Sequence, residues 1–83
     1  MDKTEKEPDN NFKVAIDTPF IKLDSFLKLC GVSVTGAEAK ELILGGQVKV
    51  NGEECFMRGK KLYENDVAEV ARKRYKVIKS ENS

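Results

Sequence analysis

The stretch Ile21 to Asn51, IKLDSFLKLCGVSVTGAEAKELILGGQVKVN, constrains this chain more than any other. Leu23, Phe26, Leu27 and Cys30 recur at i, i+3, i+4 and i+7, the apolar stripe of a short helix. Gly31 follows, where a left-handed residue stops a helix. Thr35 and Glu38 then have the T-x-x-E spacing of a capping box, which opens a second helix with Ala39, Leu42 and Ile43 inward. Gly45-Gly46 ends it. Gln47 to Val50 alternates at period two, and Asn51-Gly52 is the dipeptide of a type I′ hairpin turn. Two helices running into a hairpin predict an α+β fold, with the helices packed on a small, mostly antiparallel sheet.

The flanks supply more strands. Residues 1–11 are polar and charged and read as a disordered tail. Phe12, Val14 and Ile16 share a face of a strand that Thr18-Pro19 breaks. Glu53 to Met57 returns from the hairpin turn with Cys55 and Met57 on one side. Met57 to Leu62 reads as a basic loop and Tyr63 to Asp66 as a turn. Val67 to Ala71 is a further strand, with Ala68 and Val70 on a common face. Tyr75 to Lys79 is the last strand, placed to pair with 12–17 so that the two chain ends close one side of the sheet. Residues 80–83 fray, which leaves a single domain over 12–79.

Length limits function. A chain of 83 residues buries only roughly 60% of its unfolded surface. Nearly all its apolar side chains are needed for packing, which leaves little room for an enclosed substrate cavity. With no histidine, the usual base near neutral pH is missing. The chain has no G-x-S-x-G, H-E-x-x-H or C-x-x-C, and two cysteines this far apart in sequence make no zinc site. Gly45-Gly46 follows a helix, whereas a phosphate loop precedes one. Glu53-Glu54 are neighbours on a strand and point to opposite faces, so they form no catalytic dyad. The expectation is a non-enzymatic protein without cofactor, metal or small-molecule substrate. No apolar run reaches the roughly 18 residues of a membrane span, and the first residues lack the pattern of a secretory signal. Cys30 and Cys55 read as small reduced hydrophobes, and the cytoplasm is the expected compartment.

The net charge of +1 averages unlike segments. The first ten residues set Asp2, Glu5, Glu7 and Asp9 against Lys3 and Lys6, and Glu81 is the only charge in the last four. Residues 12 to 79 therefore keep 13 of the 15 Lys/Arg and 9 of the 14 Asp/Glu, a net +4. Lys22, Lys28, Lys40 and Lys49 lie off the apolar stripes. Arg58, Lys60 and Lys61 surround Gly59 with no acidic residue among them. Such cations repel one another, and a phosphate backbone is their commonest partner. Arg72-Lys73-Arg74 is a secondary basic cluster, which as a charged strand edge would also discourage aggregation. The aromatics are scattered along the chain, with no strand carrying a base-stacking pair. If the partner is a nucleic acid, contact with backbone and shape is thus the expected mode, which structured RNA fits better than a sequence-specific single strand.

In order and spacing, Ile21-Lys22-Leu23-Asp24-x-Phe26-Leu27-Lys28, Ala39-Lys40-x-Leu42-Ile43 and Gly46-x-Val48-x-Val50-Asn51-Gly52 resemble the S-four RNA-binding domain, named for a small-subunit ribosomal protein. Arg58-Gly59-Lys60-Lys61-Leu62, Asn65-Asp66-Val67 and the strand before the helices look like its small stand-alone bacterial YbcJ/YaaA-like branch. The resemblance covers 12–79. It implies the alpha-L fold and RNA binding along the helix pair and adjoining loops, with Lys22, Lys28, Lys40, Arg58, Lys60 and Lys61 as contacts. Gly36-Ala37 stand where many members carry a basic residue, which shifts weight to the 58–61 loop. The expected function is a monomeric module that docks on structured RNA, ribosomal or transfer RNA first, with the ribosome a candidate partner. A protein–protein adaptor that uses its sheet or hairpin to hold a partner is the alternative, with DNA binding a weaker third.

Overall fold

A computed structural model describes residues 11–80, and most of the two expected tails lies outside the described residues. The elements run β1 (Asn11–Ile16), β2 (Ile21–Lys22), α1 (Leu23–Leu29), α2 (Gly36–Leu44), β3 (Val48–Val50), β4 (Glu53–Glu54), β5 (Lys61–Leu62), β6 (Val67–Val70) and β7 (Lys73–Lys79). Five strands form one sheet in the order β1-β7-β6-β3-β4, and β2 with β5 forms a separate two-stranded ribbon. All pairings are antiparallel except β1 with β7, which join the two ends of the described chain in parallel.

Alternation decides what is buried. Val14 and Ile16 of β1, Val48 and Val50 of β3, Ala68 and Val70 of β6, and Tyr75 and Val77 of β7 face inward, because residues two apart share a face. Leu23, Phe26 and Leu27 of α1, with Ala39 and Ile43 of α2, cover that face, and Leu62 of the ribbon completes the cluster. Phe26 is the largest fully buried side chain. At the sheet edge Phe12 stacks on Tyr75, ring centroids 5.3 Å apart.

The helix signals act locally as expected. Glu38 N–H donates to Thr35 Oγ1 at 3.1 Å, which caps α2. The Glu38 carboxylate accepts from Val34 N–H at 2.7 Å, so the reciprocal half of the capping box reaches one residue further back. Gly31 and Gly46 both take positive φ, and so do Asn51 (φ 53°) and Gly52 (φ 88°), the signs of a type I′ turn.

Two expectations need correction. The strand after Asn51-Gly52 stops at Glu54 instead of reaching Met57. Cys55 N–H still donates to Val48 O (3.0 Å), but Phe56 then turns over Gly46 and a turn over Met57–Lys60 follows. Residues 57–62 are also not an open loop, because Lys61–Leu62 is strand β5 of the ribbon. Both departures have one cause: the first N–H groups of α1 need partners, and this segment brings them. Among the described residues, no helix is long and apolar enough to cross a membrane.

Candidate nucleic-acid interface

Helix α1 begins without a side-chain cap. Lys22 occupies its N-cap position with extended backbone and makes no capping hydrogen bond. Instead Leu23 N–H donates to Lys60 O at 2.8 Å, and Asp24 N–H donates to Arg58 O at 3.1 Å. Ser25 N–H donates to the Asp24 carboxylate at 2.7 Å. The backbone of the basic segment is therefore stapled to the first turn of α1. Its own turn is closed by Lys60 N–H donating to Met57 O at 3.0 Å.

The ribbon adds two more cations to this corner. Ile21 pairs with Leu62 on the inner side and Lys22 pairs with Lys61 on the outer side. Lys22 and Lys61 thus stand directly opposite, a like-charge pair that destabilises a ladder. Lys61 Nζ lies 4.9 Å from the centre of the Phe20 ring, a cation–π contact that holds the ammonium in place. Lys22, Arg58, Lys60 and Lys61 are all exposed and gather around the start of α1. That end of a helix already carries partial positive charge, so cations are disfavoured there. Only Asp24 in the first turn offsets them locally.

The remaining candidates are placed differently. Lys28 sits in the last turn of α1, where a cation complements the negative end of the helix. Lys40 lies on the exposed side of α2, with Gly36 and Leu44 one turn away on either side. Lys49 projects from the outer face of the sheet, away from the helices. Its register partners are Glu54 on β4 and Glu69 on β6. Glu69 is in turn opposite Arg74, which stands opposite Asn11. The row Glu54, Lys49, Glu69, Arg74, Asn11 crosses the sheet with alternating charge. Arg74 Nη1 also donates to Asn11 Oδ1 at 3.4 Å. Arg72 lies in the turn between β6 and β7, and Lys73 begins β7.

Sequence reasoning missed two groups here. Lys13 and Lys76 are register partners on the outer face, beside the shallow depression lined by Phe12 and Val67. Phe20 and Tyr63 form a tilted ring pair, centroids 5.9 Å apart, next to Lys61. No local signal reveals either group, because both depend on strand register.

Cys30 is not poised for chemistry. Burial pushes the Cys30 thiol from 9.0 up to about 12, so it stays protonated and unreactive at neutral pH. The Tyr75 hydroxyl is pushed up as well, first by burial and then by the Cys30 charge. Cys30 and Cys55 are both free thiols.

Comparison with known proteins agrees with this architecture. Residues 14–78 match the S4 domain. A Bacillus subtilis (strain 168) protein described as probable ribosome maturation protein RlbA is 44% identical over 57 residues, covering 69% of this chain and 80% of that protein. With the match spanning the helix pair, the ribbon and nearly the whole sheet, the chain belongs to the S4 domain family.

Proposed function

We propose that this chain is an RNA-binding module that docks the corner built by the ribbon and the start of α1 on structured RNA. Lys22, Arg58, Lys60 and Lys61 form the centre of the contact, flanked by Lys28 on α1 and Lys40 on α2. The observation that carries this reading is the cost of the arrangement. Four cations collect where a helix end and a directly opposite like-charge pair both oppose them, and a polyphosphate relieves both penalties at once. The relative's description as a ribosome maturation protein points to ribosomal RNA as the ligand. The protein acts as a monomer, and no step of bond chemistry is involved.

The outer sheet face supports RNA over a protein adaptor that would use that face. It carries Glu54, Lys49, Glu69, Arg74, Lys13 and Lys76 in place of a continuous apolar surface.

Salt dependence tests the proposal. Affinity for ribosomal RNA should fall linearly on a log–log plot, each neutralised phosphate adding roughly 0.7–0.9 to the slope. Replacing Arg58, Lys60 and Lys61 together by Ala should lower the slope by about 2–3 and leave the melting transition in place. An unchanged slope in the triple variant would remove the 58–61 segment from the interface.

A further inference from the structure

Residues two apart on a strand project from the same side, so Phe20 and Lys22 share a face, as do Lys61 and Tyr63. Lys22 pairs with Lys61, and the register carried one pair beyond Ile21 and Leu62 sets Phe20 opposite Tyr63. The rings meet at 5.9 Å and a 50° tilt, and the Lys61 ammonium lies 4.9 Å from the Phe20 centroid. Two aromatics and two cations therefore occupy the outer side of the ribbon, while Leu62 is fully buried on the inner side. Tyr63 is 50% exposed. Its backbone is fixed: Tyr63 N–H donates to Asp66 Oδ2 at 2.8 Å, and Asp66 N–H donates back to Tyr63 O at 2.9 Å.

A rigid, half-exposed aromatic ring beside two ammonium groups has the chemistry that holds an unpaired nucleotide. We infer that Phe20, Lys22, Lys61 and Tyr63 form a stacking site for one unstacked base of the bound RNA. The base lies against the open side of the Tyr63 ring, and Lys22 and Lys61 hold its flanking phosphates. This rests on the RNA-binding reading and adds a preference to it. A continuous duplex hides its base faces, whereas a bulged nucleotide offers one. Phosphate contact alone does not distinguish the two.

The test uses the full chain and two short RNA hairpins with the same stem, one carrying a single bulged adenosine. The bulged hairpin should bind more tightly by roughly 5- to 160-fold, the range carried by one base–aromatic stack. Both hairpins should show the same salt slope. Tyr63→Leu keeps an apolar side chain and should abolish the preference without lowering the melting temperature much, and Tyr63→Phe should recover it. Tyrosine emission should be quenched by the bulged hairpin in the native protein and not in Tyr63→Leu. Equal, salt-dependent binding of both hairpins overturns the stacking site and leaves the RNA-binding reading standing. Salt-insensitive binding, or none, overturns both. A preference that survives Tyr63→Leu removes the site from this ring.

Discussion

At the scale of single residues, Lys22 and Cys30 show opposite uses of burial and charge. Lys22 takes a helix N-cap, where Asp or Ser would stabilise, and faces Lys61 across the ribbon. Lys22→Asp should therefore raise stability by about 0.5–1 kcal/mol, through the helix end and the lost repulsion. The same change should weaken RNA binding and lower its salt slope by about 1–2. Thermal melts and titrations on one preparation would read both effects. A variant that gained stability at no cost in affinity would show that Lys22 is not a contact. Cys30 is the reverse case, a group kept neutral by the fold. Its proton is held in the folded state up to about pH 12 but released at about 9.0 once unfolded. Between those values the unfolded chain binds fewer protons, so stability is fully present below about pH 9 and falls as pH rises above it. Tyr75, also raised, adds a loss of the same sign at higher pH. Urea midpoints measured from about pH 8 to about pH 11 should fall, and Cys30→Ala should flatten the early part of that fall. Parallel curves for the two proteins would show that Cys30 does not set the alkaline limit.

Among the elements, the turns separate what local chemistry decides from what the whole fold decides. Asn51-Gly52 has the residues its geometry needs, and Asn51 adds two bonds: its Oδ1 accepts from Val67 N–H at 3.0 Å and its Nδ2 donates to Asp66 Oδ1 at 3.2 Å. The β6–β7 turn takes similar positive φ at Ala71 (56°) and Arg72 (66°), with side chains that resist them. Each such residue costs about 1–2 kcal/mol. Ala71→Asn combined with Arg72→Gly should raise stability by about 1 kcal/mol after the entropy lost with Gly, visible as a higher urea midpoint. No change would mean that the turn relaxes at negligible cost. The same division explains what the sequence made legible. Both helices, the Thr35 cap and the Asn51-Gly52 turn were readable because each signal lies within a few neighbouring residues. The β2–β5 ribbon was not, since two-residue strands show no periodicity and their pairing depends on Leu62 reaching the core. Glu53–Met57 read as one strand because Cys55 and Met57 alternate correctly, yet the need of α1 for partners pulls the chain out of the sheet. The parallel direction of β1 against β7 was hidden because alternation sets which face a strand buries and not the direction in which it runs, although the pairing itself followed from the two alternating ends.

Across the whole molecule, cations of the same type do different work on opposite sides. Around the start of α1 they face one another, with no carboxylate opposite in the register. On the outer sheet face Lys49 lies between Glu54 and Glu69 in a row of alternating charge, although Lys13 and Lys76 stand directly opposite each other elsewhere on that face. A formal count treats Lys49 and Lys61 as equal, but the fold does not. Cross-strand pairs of opposite sign contribute roughly 0.2–1 kcal/mol each, so Lys49→Ala should lower stability by about 0.5–1 kcal/mol. It should leave the RNA salt slope nearly unchanged, since its charge is already matched by neighbours. Lys61→Ala should do the opposite. Relief from Lys22 offsets the lost contact with Phe20, which keeps stability within about 0.5 kcal/mol, while the slope falls by about 1. Parallel chemical melts and salt titrations of the two variants would separate the roles. If Lys49→Ala flattened the salt dependence as much as Lys61→Ala, RNA would be drawn to the net charge of the molecule rather than to the ribbon corner, and the interface would have to be extended around the edge of the sheet.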